Sequence, residues 1–174
     1  MRYEDNREDI AGIPRSPRFD RRHIHHAAAA CVLAHGDRTA LIQRLDRPPG
    51  GDAWVLAVAR AKIGLARVAA ASDLPADRIG VGSRFAFTLG AREAETAVLA
   101  PWDEDVAPLG RIALRTRLGI ALLGMREGAH VDVPRHDGTV ERLAIDKVLY
   151  RPGEAAGAGI SPANDNRWDR EARP

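Results

Sequence analysis

A single cysteine, Cys31, excludes a disulfide framework within the chain and a zinc site built on four thiolates. Long apolar runs are missing as well. The longest stretch free of Arg, Lys, Asp and Glu spans 23–36 and holds four histidines, too short and too polar to cross a bilayer. The chain opens with Glu4, Asp5, Glu8 and Asp9, where a signal peptide would carry a basic segment. The expectation is a soluble cytoplasmic protein without a membrane partner. Lysine is nearly absent, with Lys62 and Lys147 the only two among 26 basic side chains. The net charge is +2, and it is spread unevenly: residues 1–71 carry 12 basic and 8 acidic groups, 72–152 carry 11 and 12, and 153–174 carry 3 and 4. A surface that tracks phosphates needs a denser basic stripe than this, so direct DNA binding is not indicated.

With 45% hydrophobic residues in 174, the chain is long enough to bury a sizeable core. Residues 1–36 read mostly as a flexible tail and 153–174 as another, rich in Gly, Pro, Asn and charge. Residues 37–71 read as helix: Asp37 is placed as an N-cap, Pro48-Pro49-Gly50-Gly51 must break the helix, and Asp52 caps a second one. Trp54, Val58, Ala61, Leu65 and Val68 follow the stripe of a single helical face. Two helices across so short a break predict an antiparallel hairpin.

Residues 72–152 are patterned mostly as strand. Val81, Ser83, Phe85, Phe87 and Leu89 alternate with smaller or polar residues, and His136-Asp137-Gly138 is a hairpin turn signal. Residues 118–124 lack alternation and close on Gly124, which suits a short buried helix. Lys147 interrupts an apolar face and must sit near an edge. The fold class expected is α+β, a helical hairpin followed by an antiparallel sheet with one short helix.

No residue pattern assembles an active site. His23, His25 and His26 are dense but lie in a tail without partner carboxylates. Cys31 reads as a small buried hydrophobe, and Gly80-Val81-Gly82 enters a strand, where a phosphate loop would open a helix. Asp103-Glu104-Asp105 lacks the spaced oxygens of a cation loop. No cofactor and no metal is implied, and the chain is not expected to be an enzyme.

Residues 74–85, with Asp77-Arg78-Ile79-Gly80-Val81-Gly82-Ser83, precede 112–128, with Leu118-Gly119-Ile120-Ala121-Leu122-Leu123-Gly124 and Gly128. In this order and spacing they resemble the C-terminal domain of Gre-type transcription elongation factors. The closing Val148-Leu149-Tyr150-Arg151-Pro152-Gly153 points to the branch of regulators of nucleoside diphosphate kinase. The resemblance covers about 37–157. It implies an FKBP-like domain over 72–152 that docks on bacterial RNA polymerase near its secondary channel, with the helices as the coiled coil that enters it. The family usually has Ser-Pro where Thr116-Arg117 stand and an acidic residue where Ala129 stands; Arg111, Arg115, Arg117 and Arg126 are a candidate replacement patch. Cleavage-stimulating members carry acidic residues at the tip of a long coiled coil. Here the tip offers only Asp46 and Asp52, on arms of ~13 and ~30 Å. The resemblance thus implies a regulator that binds polymerase without stimulating transcript cleavage. A peptidyl-prolyl isomerase and a regulator of nucleoside diphosphate kinase are the alternatives; the former is poorly served by the domain's four aromatics, Phe85, Phe87, Trp102 and Tyr150.

Overall fold

A computed structural model describes residues 24, 25, 27, 28, 30–46, 51–103 and 110–152. Its elements run in the order β1 (Val32–Ala34), α1 (His35–Leu45), α2 (Ala53–Leu65), β2 (Arg67–Ala69), a 3-10 turn (Ala71–Asp73), β3 (Arg84–Leu89), β4 (Glu95–Ala100), β5 (Arg111–Ala113), α3 (Arg117–Leu122), β6 (His130–Pro134) and β7 (Val140–Tyr150). Helix and sheet are mixed in the α+β manner.

The sheet has strand order β5-β4-β3-β7-β6. Its inner pairings β4/β3, β3/β7 and β7/β6 are antiparallel, as alternation and the Asp137-Gly138 turn anticipate. The expectation of a wholly antiparallel sheet fails at one edge, where β5 lies parallel to β4. A parallel neighbour cannot follow through a tight hairpin, and in the sequence ten residues separate Ala100 from Arg111. Lys147 is exposed on β7, beyond the last pairing with β6 at Ala144, so it does stand on a locally open edge.

Helix α2 begins as its sequence dictates: Asp52 Oδ1 accepts hydrogen bonds from Trp54 N at 2.8 Å and Val55 N at 3.3 Å, satisfying two of the free N–H groups of the first turn. Trp54, Val55, Val58 and Ala59 are buried. The anticipated stripe stops there, because Leu65 is 49% exposed. The helix ends at that residue, Ala66 turns extended, and Arg67–Ala69 pairs as a strand with Val32–Ala34 in parallel register. The helical reading of 37–71 is therefore corrected to helix up to Leu65 and strand from Arg67, where β-branched Val68 fits the extended backbone beside Leu33.

Asp37 is also corrected. The residue capping α1 is Ala34, which makes no side-chain cap bond. Asp37 sits within the first turn, and its Oδ2 accepts from Val81 N at 3.3 Å. Burial pushes its carboxyl above the ordinary carboxylate value, and the Val81 bond works the other way.

The tail expected over 1–36 is shorter than anticipated. Ala27, Ala28, Cys31, Val32 and Leu33 are buried, and Val32 N donates to Gly124 O at 3.1 Å. Small apolar side chains without a clear period were enough to fill the space beside α3. Most of the remaining N-terminal segment, and the segment 153–174 with Trp168, lie outside the described residues.

Two glycines of the 118–124 run are sterically required. A Cβ on Gly119 would stand 2.0 Å from Ala113 O, and one on Gly124, at φ +78°, would meet Leu33 and Cys31 at about 3 Å. They let α3 lie directly on the end of β5 and let β1 pass close by. The closing run has a similar part: buried Arg151 donates from Nη1 to Leu74 O and Pro75 O at 2.6 and 3.0 Å, tying the end of β7 to the segment that enters β3.

One hydrophobic cluster joins all of this. Leu33, Leu41, Trp54 and Val58 from the helical region pack in the same core as Phe85, Phe87, Leu99, Ile120, Leu143 and Ile145. Lys62 reaches into this region with no exposed surface. Its Nζ donates to Ala121 O at 2.9 Å and to Leu123 O, carbonyls at the C-terminal end of α3, where a cation is favoured. Burial lowers its proton affinity below that of an ordinary lysine, while Cys31 beside it acts in the opposite sense.

Candidate functional site

The N-terminus of α2, the C-terminal end of α1, β5 and the start of α3 enclose a cleft of about 840 Å³. Its walls bring together residues far apart in sequence: Arg44, Asp52, Trp102, Arg111, Arg115 and Arg117, with His136 at the margin. Thr116 makes the α3 end rigid. Its Oγ1 accepts from Gly119 N at 2.9 Å and donates to Ala113 O at 2.8 Å, a side-chain cap on a helix of only six residues.

Arg117 follows in the first helical position and crosses the cleft floor. Its Nε donates to Asp52 Oδ2 at 2.6 Å, and its Nη1 donates to Pro134 O and Arg135 O at 3.0 and 2.6 Å. Asp52 is thus used on both oxygens, one for the helix cap and one for the guanidinium. Burial raises its carboxyl pKa, but the bonds from Arg117, Trp54 and Val55 outweigh this and hold it below the ordinary carboxylate value. His136 Nδ1 stands 3.9 Å from the same Oδ2. On the opposite side Arg44 lies over Trp102, its guanidinium carbon 5.6 Å from the ring centroid, with Asp103 Oδ1 at 3.9 Å from its Nε.

Of the sequence-derived site residues, Arg111, Arg115, Arg117 and Asp52 converge on this cleft. Arg126 does not: it pairs with Arg78 in an isolated bridge and lines a separate 220 Å³ pocket beside Cys31 and Met125. Asp46 is exposed at the C-cap of α1 and is not part of the cleft wall. The anticipated four-arginine patch is therefore three arginines and a detached fourth. Arg44, Trp102 and His136 went unrecognised in the sequence. Only the fold brings them near β5 and α3, and no spacing rule links positions 44, 102 and 136.

Among the described residues no cluster of His, Cys, Asp and Glu is arranged to hold a metal ion, and no helix is long and apolar enough to cross a membrane. His23, His26, Glu104 and Asp105 lie outside the described residues.

No protein-family model matches the sequence, nor does any curated protein. Solved structures do match. A prokaryotic transcription elongation factor GreA/GreB from Nitrosomonas europaea superposes with a TM-score of 0.54 at 22% identity, covering 69% of this chain and 98% of that one. Gfh1 of Thermus aquaticus gives a TM-score of 0.36 at 17% identity over 70% and 99%, and that of Thermus thermophilus 0.33 at 16% over 69% and 99%. The likeness to the Nitrosomonas europaea protein is one of fold: the chain shares the mixed helix-and-sheet architecture of a Gre-type factor.

Proposed function

We propose that this chain is a non-enzymatic, cytoplasmic transcription regulator that docks on bacterial RNA polymerase near its secondary channel and does not stimulate transcript cleavage. Within this reading residues 72–152 form an FKBP-like docking domain and 37–71 a short helical hairpin. The observation that carries the reading is the fold shared with the Nitrosomonas europaea elongation factor across nearly all of that protein.

The absence of cleavage stimulation is supported by the helices themselves. At 11 and 13 residues they extend only ~16 and ~20 Å, and α2 is buried along Trp54, Val55, Val58 and Ala59 and packs against α1 and α3. At the start of α2, Asp52 has both oxygens taken, by the helix cap and by Arg117. A carboxylate so committed is a poor ligand for a catalytic magnesium, which needs its oxygens free at close range. Arg111 and Arg115, on the cleft wall, are the residues proposed to face the polymerase, together with Arg126 on the neighbouring face. Arg117 contributes by shaping the wall.

No observation favours the isomerase alternative. Phe85 and Phe87, with rings 5.8 Å apart, are both buried in the core, which is the simpler use of the two rings. Regulation of nucleoside diphosphate kinase would follow indirectly from the polymerase reading. Purified core RNA polymerase, incubated with the full chain and challenged with excess cleavage factor, tests the proposal. Retention that the cleavage factor competes away is expected, with no acceleration of cleavage in backtracked complexes. Absence of retention at moderate salt would overturn the docking, and accelerated cleavage would overturn the second half.

A further inference from the structure

Two nucleophilic side chains that polymerase docking does not use meet at the C-terminal end of α3. Lys62 has no exposed surface, and Cys31 is 5% exposed. The Lys62 amine donates to Ala121 O and Leu123 O, and the Cys31 side chain is a further hydrogen-bonding neighbour of that amine. The thiol proton is used elsewhere, since Cys31 Sγ donates to Ala27 O at 3.3 Å. Backbone contacts hold the two residues together. Leu123 leads directly into Gly124, where a Cβ would stand only 3.0 Å from that of Cys31. Cys31 O accepts from Arg67 N at 3.1 Å, just past the end of the helix that carries Lys62. Cys31 also lines the 220 Å³ pocket that includes Met125 and His130, which gives a small solute a route to the sulfur.

We propose that Cys31 and Lys62 form a peroxide-driven, thiol-reversible covalent link through a sulfur–nitrogen bond. In the first step the thiol attacks hydrogen peroxide in the pocket and the O–O bond breaks. Sulfur gives up two electrons and keeps one oxygen as a sulfenic acid; the other oxygen leaves with the thiol proton as water. In the second step the neutral amine attacks that sulfur and the S–O bond breaks. The hydroxyl departs with one nitrogen-bound proton as a second water, leaving a sulfenamide. One peroxide is consumed, and a dithiol returns both side chains while itself becoming a disulfide. Burial lowers the proton affinity of the amine and so favours the neutral, nucleophilic form that the second step needs. The link ties the end of α2 to the segment entering β1. It is independent of polymerase docking, because it is measured on the protein alone.

The test treats the folded full chain with hydrogen peroxide at neutral pH without thiol, quenches with catalase, alkylates in denaturant and cuts at arginine. Cys31 and Lys62 then fall in separate peptides, 23–38 and 61–67. Expected is a species that joins them, lighter than their sum by two hydrogens, which dithiothreitol resolves into the parent peptides. Oxidation of methionine only adds oxygen and is not confused with it. Lys62→Met should abolish the joined species and leave a sulfenic acid at Cys31 that dimedone captures; Cys31→Ser should abolish both. Thermal unfolding checks that each variant is folded, and the peptide map of the unaltered chain decides the matter by itself if one is not. The proposal is overturned if Cys31 stays fully alkylatable after peroxide, if it ends as a sulfenic or sulfinic acid with Lys62 unlinked, or if it forms a disulfide with a second copy of the chain.

Discussion

Asp52 and Arg117, 65 residues apart in the chain, meet at 2.6 Å between Oδ2 and Nε. This pair fastens the start of α2 to the start of α3 and, through Arg117 Nη1, to the end of β6. Asp52→Ala removes a helix cap and the carboxylate that faces Arg117 Nε, and should cost about 2–3 kcal/mol in denaturant unfolding. Arg117→Ala should cost a similar amount. A double-mutant cycle should return a coupling of ~1–2 kcal/mol; additivity would show that the contact contributes nothing. Because the folded-state carboxyl pKa lies below the unfolded value of 3.8, the link stabilises the protein above that pH. The contribution is lost as pH falls through the folded-state pKa.

Asp37 has the opposite sign. Its folded-state pKa is raised above 3.8 by burial, so ionisation costs stability as pH rises from 3.8 through the folded value. Asp37→Asn keeps an acceptor for Val81 N and removes the charge. The variant should be at least as stable as the parent at neutral pH, with the advantage disappearing below pH ~4. Thermal unfolding across this range checks it, and a constant difference would contradict the assignment.

Gly119→Ala places a methyl group where the nearest atom is a backbone oxygen at 2.0 Å. Neither β5 nor α3 can yield without breaking the Thr116 cap. A loss of about 3 kcal/mol or more is expected in urea unfolding. Gly128→Ala is the comparison at a site with open space around a positive φ, where only the backbone strain of about 1 kcal/mol should appear.

Lys62→Ala should destabilise by about 3 kcal/mol, through a cavity and two carbonyls left without their donor. Lys62→Met fills the space and isolates the effect of charge. The buried amine has its pKa depressed below 10.5, so the unfolded chain holds its proton to higher pH than the folded one. Stability of the parent relative to Lys62→Met should therefore rise as pH is brought up toward 10.5. A pH-independent difference would mean that the folded-state pKa of the amine is not depressed.

The legible parts of this fold were those where one residue type has one physical use. Asp52 before an apolar helix, alternating Phe85 and Phe87, the Asp137-Gly138 turn and the glycine-bounded 118–124 helix each state their structure locally. What stayed hidden depends on tertiary partners. Asp37 has the sequence appearance of a cap, yet its carboxylate serves the backbone of Val81, 44 residues away. Ala27, Ala28 and Cys31 are buried although the sequence around them shows no period. Lys62 occupies a buried position that hydropathy assigns to solvent, and only the end of α3 explains it. The cleft shows the same division: its arginines were grouped in the sequence as a candidate patch where it departs from the resembled pattern, but strand register decides the grouping, and Arg126 left it while Arg44 joined it through the fold alone.

The single core running from Trp54 to Leu143 makes the helices and the sheet one cooperative unit. Undocking α2 would expose Trp54 and Val58 and release Lys62 from the end of α3 in the same event, so the helical segment has no low-energy detached state. A ligand gripping either region therefore protects the backbone amides of both from hydrogen exchange.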